Sequence, residues 1–406
     1  MTRPPCAVLL LAALALWACA RPSSIAGPAV GGITVTQKPV GRSFRLAVAP
    51  GAASVSPVEG STATGLLQVL YPDVESLSLH LRELPLPAGA GEGKTWYLDR
   101  ISYTPELDVR FGDSALLWLS GECHIFYTDR ETGDRYLLKW VHRRAAEDAF
   151  WADVLPYEGR LLGAWVPDGK TIELLLLQQQ GLVLQPVGNG SPAREVLRPF
   201  EPGSDICYLE GPAFQGFTAY DSLSRRLYLF RRDGGAVVAE ALYPHGEVHF
   251  SCLAGEEQLI LVYDSARSTL LQLQRRATDT RFEVVPVTLC EGTRSVYLGT
   301  WNGQSFYLFD EREISPRETA HFQLSLLFPS SGGVASTASG PELEGSQAGN
   351  PIRYEKITLL ESPEPFQRFR ALQSGDSLYV LYEQEGLNLL TLPLGRLEAP
   401  VKGNQG

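Results

Sequence analysis

Leu117-Trp118-Leu119-Ser120-Gly121, Leu162-Gly163-Ala164-Trp165-Val166, Cys207-Tyr208-Leu209-Glu210-Gly211, Ser251-Cys252-Leu253-Ala254-Gly255 and Val296-Tyr297-Leu298-Gly299-Thr300 are five versions of one short apolar segment. Their second residues stand at 118, 163, 208, 252 and 297, so the steps between them are 45, 45, 44 and 45. Near-equal steps in succession mark an internal repeat, and a repeat of this length means one supersecondary unit copied along the chain.

A second family of segments follows in each unit, where an apolar run ends in an aromatic and an acid before a turn. Tyr220-Asp221 leads through Ser222 to Arg226 into Leu227-Tyr228-Leu229-Phe230, and Tyr263-Asp264 leads into Thr269 to Leu273. Phe309-Asp310, Tyr382-Glu383, Tyr127 with Asp129, and Tyr71 with Asp73 begin comparable hairpins. The unit from Leu162 to Pro186 keeps the hairpin without the aromatic, with Gln178-Gln179-Gln180-Gly181 as its turn. Short β-branched and aromatic runs broken by Gly, Asp, Pro and Ser read as strands and turns, and they fill the interior of the chain.

A unit of roughly 40 to 50 residues holding several strands is how a β-propeller blade reads. The fold class expected is therefore all-β, a propeller of about seven four-stranded blades, with six or eight also compatible. A pair of β-sandwiches is the alternative architecture, because strand counts alone fit both. In the ring, the early runs Ile33 to Val48 are expected to join the last blade, Leu372 to Leu397, and so remove exposed edges. One spacing is out of step: Phe309 to Tyr382 is 73 residues. The excess lies at 329–351, rich in Ser, Gly, Ala, Glu and Gln, which is expected to be a disordered surface insertion.

The chain opens with Arg3 and an apolar run, Ala7 to Ala18. That is the layout of a secretory signal, and the run is too short for the roughly 20 apolar residues a bilayer span needs. Leu16, Ala18 and Cys19 match the lipobox, so the segment resembles that of bacterial lipoproteins, in which the Cys thiol takes diacylglycerol. Trp17 departs from the small or β-branched residue usual there. Ala18-Cys19-Ala20 also has the A-x-A form cut by an ordinary signal peptidase. The resemblance implies residues 1–18 as signal peptide, Cys19 as lipidation site and 19–32 as flexible tether; the repeat then places the propeller at 33–400, with 401–406 as a tail. The resemblance also implies a protein anchored by lipid at the periplasmic or outer-membrane face, with a soluble secreted or periplasmic form as the alternative.

The formal charge of −11 argues against nucleic acid as partner, since that needs clustered positive charge. Cys123, Cys207, Cys252 and Cys290 remain beyond the signal and anchor. They are expected as two disulfides or as buried thiols, because none shows C-x-x-C spacing. Ala88-Gly89-Ala90-Gly91-Glu92-Gly93-Lys94-Thr95 satisfies the loose phosphate-loop pattern, but Trp96-Tyr97-Leu98 after it reads as a strand, so a plain Gly-rich turn is expected. Asp129-Arg130-Glu131-Thr132-Gly133 resembles the core of the quinoprotein-type propeller repeat, which also occurs in the lipoprotein propeller that assists outer-membrane barrel assembly. Leu137 stands where that repeat carries Trp. His245-Gly246-Glu247-Val248-His249 with Cys252 offers ligand types, yet on one strand His249 and Cys252 fall on opposite faces. No metal or cofactor site is therefore expected. No G-x-S-x-G elbow occurs, and the six His residues stand beside no evident Ser or Cys nucleophile.

These readings converge on an exported, membrane-anchored propeller serving as a binding or scaffold module in the cell envelope, with no catalytic residues named. Its partner would be an envelope protein or an extracellular ligand. The alternatives are an enzyme on extracellular glycans, whose paired carboxylates would come from different blades, and an outer-membrane assembly helper.

Overall fold

The computed structural model describes residues 33–35, 45–49, 66–73, 76–85, 93–101, 114–130, 136–144, 147–188, 192–203, 206–211, 214–233, 236–243, 248–254, 257–264, 269–276, 281–287, 293–301, 304–313, 321–329, 354–366, 368–374, 377–383 and 387–393. The expected signal, Cys19, the tether at 19–32, the insertion beyond Pro329 and the tail at 401–406 lie outside the described residues.

All regular secondary structure among the described residues is β. The first sheet holds β2 (Arg45–Ala49), β3 (Leu66–Asp73), β4 (Ser78–Pro85) and β5 (Lys94–Arg100). The second holds β6 (Ser114–Leu119), β7 (Glu122–Arg130), β8 (Tyr136–Arg144) and β9 (Trp151–Leu155). The third is β10 (Arg160–Trp165), β11 (Glu173–Gln178), β12 (Gly181–Pro186) and β13 (Arg194–Leu197). The fourth is β14 (Cys207–Gly211), β15 (Phe214–Asp221), β16 (Arg226–Asp233) and β17 (Ala236–Tyr243). The fifth is β18 (Val248–Ala254), β19 (Glu257–Asp264), β20 (Thr269–Arg276) and β21 (Glu283–Val287). The sixth is β22 (Thr293–Trp301), β23 (Gln304–Glu313), β24 (His321–Pro329) and β25 (Tyr354–Ser362). The last joins β26 (Arg368–Ser374), β27 (Ser377–Glu383) and β28 (Leu387–Pro393) to β1 (Ile33–Val35) from the other end of the chain.

Every sheet is an antiparallel meander, and first strands touch from sheet to sheet: β2 with β6, β6 with β10, β14 with β18, β18 with β22, β22 with β26, and β26 with β2. The third and fourth sheets meet through β13 and β17 and through a shared core of Trp165, Phe217 and Phe230. This is a β-propeller. Two β-sandwiches are ruled out by the same contacts, because each sheet buries its two faces against two different neighbours rather than against a single partner sheet. The five 45-spaced segments lie in β6, β10, β14, β18 and β22, the first strands of their sheets. The hairpin segments join second to third strands.

Two details differ from the sequence expectation. Only Ile33–Val35 joins the last sheet, with Ile33 opposite Leu389, while Arg45–Ala49 begins the first. The chain ends thus seal the last sheet with one short outer strand. Phe309 and Asp310 lie inside β23, which runs on to Glu313 before its turn. The insertion after Pro329 falls between β24 and β25, whose residues Pro329 and Tyr354 are register partners.

A recurring clasp ties sheets together. Arg143, Arg232 and Arg275 are each the next-to-last residue of a third strand, β8, β16 and β20. Each reaches an acid on the preceding sheet: Arg143 donates to Glu83, Arg232 to Glu173, and Arg275 Nη1 to Glu240 Oε2 at 3.1 Å. Each guanidinium also lies over an aromatic ring: Arg143 over Trp96 at 4.8 Å and Phe150 at 4.9 Å, Arg232 over Trp165 at 5.8 Å, and Arg275 over Phe282 at 4.1 Å. A planar guanidinium suits this double use, because its edge donates while its face stacks.

Around Arg143 the clasp extends inward. Gln68 Nε2 donates to Glu83 Oε1 at 2.7 Å, Trp96 Nε1 to Glu83 Oε2 at 2.7 Å, and Trp118 Nε1 to Gln68 Oε1 at 2.7 Å. Cys123 is a buried free thiol against the same Gln68 oxygen, at 3.9 Å. Burial pushes its pKa up to about 12, so it is inert as a nucleophile. Of the two expectations, disulfide or buried thiol, Cys123 is the buried thiol. The backbones of Cys207 and Cys252 lie in β14 and β18, and Cys290 is outside the described residues.

Candidate functional site

The richest polar constellation stands where the β3–β4 hairpin meets the end of β5. Antiparallel register sets Asp73 opposite Ser78, Tyr71 opposite His80, and His80 opposite Tyr97. Register partners share a face, so one side of the first sheet gathers these residues. Ser76 enters from the turn, whose next residue, Leu77, takes φ 49°. Ser76 Oγ donates to Asp73 Oδ2 at 2.6 Å, Ser78 Oγ lies 2.6 Å from His80 Nε2, and the two serine hydroxyls bond to each other. The His80 ring stacks on Tyr71 at 5.6 Å and meets Tyr97 edge to face at 5.9 Å. Tyr97 itself is 62% exposed.

A register shift in β4–β5 between Leu79 and His80 gives this site its second side. Tyr97 pairs with His80, but Asp99 pairs with Leu79, so the bulge turns Asp99 to the opposite face. There Lys139 Nζ donates to Asp99 Oδ2 at 2.6 Å and to Asp129 Oδ2 at 3.1 Å, and Tyr127 OH donates to Asp99. Burial works against the Asp99 charge, but the bonds from Lys139 and Tyr127 outweigh it and hold the carboxyl below its usual range. Burial raises the Tyr127 phenol, which stays protonated as a donor.

Burial lowers the pKa of His80, against a smaller opposing pull from Asp73, so the imidazole is neutral at pH 7. The set Ser, His and Asp invites comparison with a nucleophilic triad. A triad needs the hydroxyl and the carboxylate on opposite ring nitrogens. Here Ser78, Ser76 at 3.5 Å and Asp73 at 4.0 Å all approach Nε2. Ser78 is also fully buried. The arrangement is an internally bonded polar cluster beside an exposed ring.

The motifs singled out in the sequence fall elsewhere. Gly93 and Lys94 belong to the entry of a strand, with no helix after them among the described residues. A Cβ on Gly93 would meet Leu84 Cδ2 at 2.5 Å and the Glu83 carbonyl at 2.8 Å, so this glycine serves close strand packing. Lys94 Nζ lies over the Trp96 ring at 3.3 Å rather than at an anion site. Asp129 and Arg130 end β7, and residues 131–133 lie outside the described residues. His249 and Cys252 stand three positions apart on β18, and His245 is outside the described residues. Among the described residues no group of three His, Cys, Asp or Glu side chains can hold a metal ion. Of the hairpin acids, Asp221 caps its own turn, accepting from the backbone N–H of Leu223 at 3.3 Å and Ser224 at 3.1 Å.

His80 does stand beside serines, which the sequence reading passed over. The signal was present: Ser76, Ser78 and His80 alternate at the period of a strand face, with Asp73 across the turn.

No protein-family model matches the chain, and no curated protein matches it. Among solved structures the chain is similar to YCF48 bound to D1 peptide, at 9% identity and TM-score 0.46, over 83% of this chain and 90% of that one. It is similar to polysaccharide lyase Uly1, at 8% identity and TM-score 0.46, over 84% and 90%. It is also similar to Trypanosoma rangeli sialidase in complex with the inhibitor DANA, at 11% identity and TM-score 0.44, over 91% and 61%. At such values no activity passes from these proteins to this one.

Proposed function

We propose that the chain is an exported lipoprotein, anchored through Cys19, whose seven sheets are the blades of one closed propeller acting as a binding module in the cell envelope. What carries the binding reading is the position of five of the six exposed large apolar side chains among the described residues, the sixth being Leu223 in the turn between β15 and β16. Tyr97, Trp151, Val154, Val238 and Val284 all lie on fourth strands, β5, β9, β17 and β21, the outermost of their sheets. Buried faces are filled between sheets, whereas these side chains stand at the circumference, where aromatic and aliphatic groups favour protein contact. The anchor reading rests on Leu16-Trp17-Ala18-Cys19, and several acyl chains on one residue hold a protein to a membrane at about 0.8 kcal/mol per buried CH₂.

A photoreactive amino acid placed at position 97 or 151, in cells carrying the full chain, tests both halves. A discrete adduct with an envelope component is expected, and it should weaken in a Cys19→Ser variant that no longer partitions with membranes. No adduct from either position removes the binding reading. A Cys19→Ser protein that still enters detergent like its parent removes the anchor.

A further inference from the structure

On the face of the second sheet turned toward the third, β7 and β8 set His124 opposite His142, Phe126 opposite Trp140 and Glu122 opposite Arg144. On the next strand, Asp153 lies opposite Trp140 and Trp151 opposite His142. The rings form a ladder: Trp140 stacks on His142 at 4.4 Å and on His124 at 5.8 Å, and the two imidazoles stack at 6.4 Å. His124 is 6% exposed. Trp140 Nε1 donates to His124 Nδ1 at 3.2 Å. An indole N–H can only donate, so this ring nitrogen must offer a lone pair, and His124 is neutral with its proton on Nε2.

We infer that His124 is an acid-sensitive catch in the seam between the second and third sheets: a proton taken up at Nδ1 sets two N–H donors face to face and breaks the bond to Trp140. The charged groups around it are Glu122, whose Oε2 lies 3.9 Å from His124 Nε2 and whose Oε1 accepts from Arg144 at 2.8 Å, and Asp153, 3.4 Å from His142. From the third sheet, β10 and β11 bring Leu161, Ala164, Leu174 and Leu176 to this core, with Ile172 just before β11, all of them apolar.

Burial is the largest influence on His124 and lowers its pKa; Glu122 opposes this and the neighbouring His142 adds to it. The sign follows. Below about 6.5, the ordinary histidine value, the unfolded chain binds a proton that the folded seam resists. The contribution is therefore complete above that pH and is lost as pH falls below it. What loosens is the join that holds Trp140 and, beside it, the outer strand β9 with its exposed Trp151 and Val154. This inference does not depend on the anchor or on any partner.

NMR of the full chain tests it. At pH 7.5 the His124 ring nitrogens should show a bare Nδ1 and a protonated Nε2. On titration the His124 ring and the Trp140 indole N–H should move together, with a midpoint below 6.5. With His142→Gln in both proteins to remove the second imidazole stacked on the indole, the Trp140 signal should stay fixed between pH 7.5 and 5 in His124→Gln, whose side-chain carbonyl can still accept from the indole. A protonated Nδ1 at pH 7.5 in the parent protein, or a Trp140 signal that titrates unchanged in His124→Gln, overturns the inference.

Discussion

The seam between the first two sheets and the seam between the last two perform the same task with different chemistry. Among the described residues the last pair closes chiefly on hydrocarbon: Phe306, Leu308, Leu324 and Leu326 of the sixth sheet meet Leu378, Val380 and Leu390 of the seventh, and Tyr297 OH donates across to the Ala371 carbonyl at 2.8 Å. The first pair has an apolar middle, with Leu70, Leu79, Leu81, Ile125 and Val141, but ends in charge on both sides. One end holds Arg143 with Glu83, and the other holds Lys139 with Asp99 and Asp129. Apolar contact is non-directional and tolerates sliding, whereas a guanidinium fixed by two aromatic faces and a carboxylate tolerates none. The difference teaches where the sheets hold their register tightly: at the first seam, with the cluster of Tyr71, His80 and Tyr97 on the other face of the same first sheet.

The sharpest way to break the comparison is Arg143→Met. It leaves Glu83 buried without its cation, so the expected loss is about 3 to 5 kcal/mol, measured by denaturant unfolding. The double variant Arg143→Met with Glu83→Gln removes both charges and should recover most of that loss. Recovery of nothing would mean that the stacking on Trp96 and Phe150, and not the ion pair, holds the seam. In the apolar seam, Leu378→Ala should cost about 2 to 5 kcal/mol by cavity formation. That cost should be the same at low and high salt, because no charge is involved.

The hydrocarbon half of this comparison was legible in the sequence and the charged half was not. The 45-residue spacing located the first strands, and the aromatic-acid endings located the hairpins, because period-2 apolar runs report burial directly. The clasp also has a sequence period, since Arg143, Arg232 and Arg275 share one place at the end of a third strand. It was invisible for a physical reason. Each Arg finds its acid on the preceding sheet, up to 60 residues away for Arg143 and Glu83, and only the packing of one sheet on the next brings the two together. The site at Ser76, Ser78 and His80 was half legible, as a strand-face alternation. What hid Asp99 from its neighbour Tyr97 was the bulge in β4–β5, and no local residue pattern announces that.

The smallest effect belongs to the other charged end. Asp99 and Lys139 are linked at 2.6 Å, but the Asp99 side chain is 30% exposed, so water screens the pair. Asp99→Asn should therefore cost no more than about 1 kcal/mol, and less at high salt. The pH dependence has the sign usual for a paired carboxylate: the folded carboxyl is held below its usual range by Lys139 and Tyr127, burial notwithstanding. Its contribution is thus whole above the ordinary aspartate value of about 3.9 and disappears as pH falls through the lower, folded value. Acid unfolding of the parent and of Asp99→Asn should converge at the lowest pH and separate above it. If they stay equally apart at every pH, Asp99 contributes through shape and hydrogen-bond count, and the two ends of the first seam differ in kind rather than in depth.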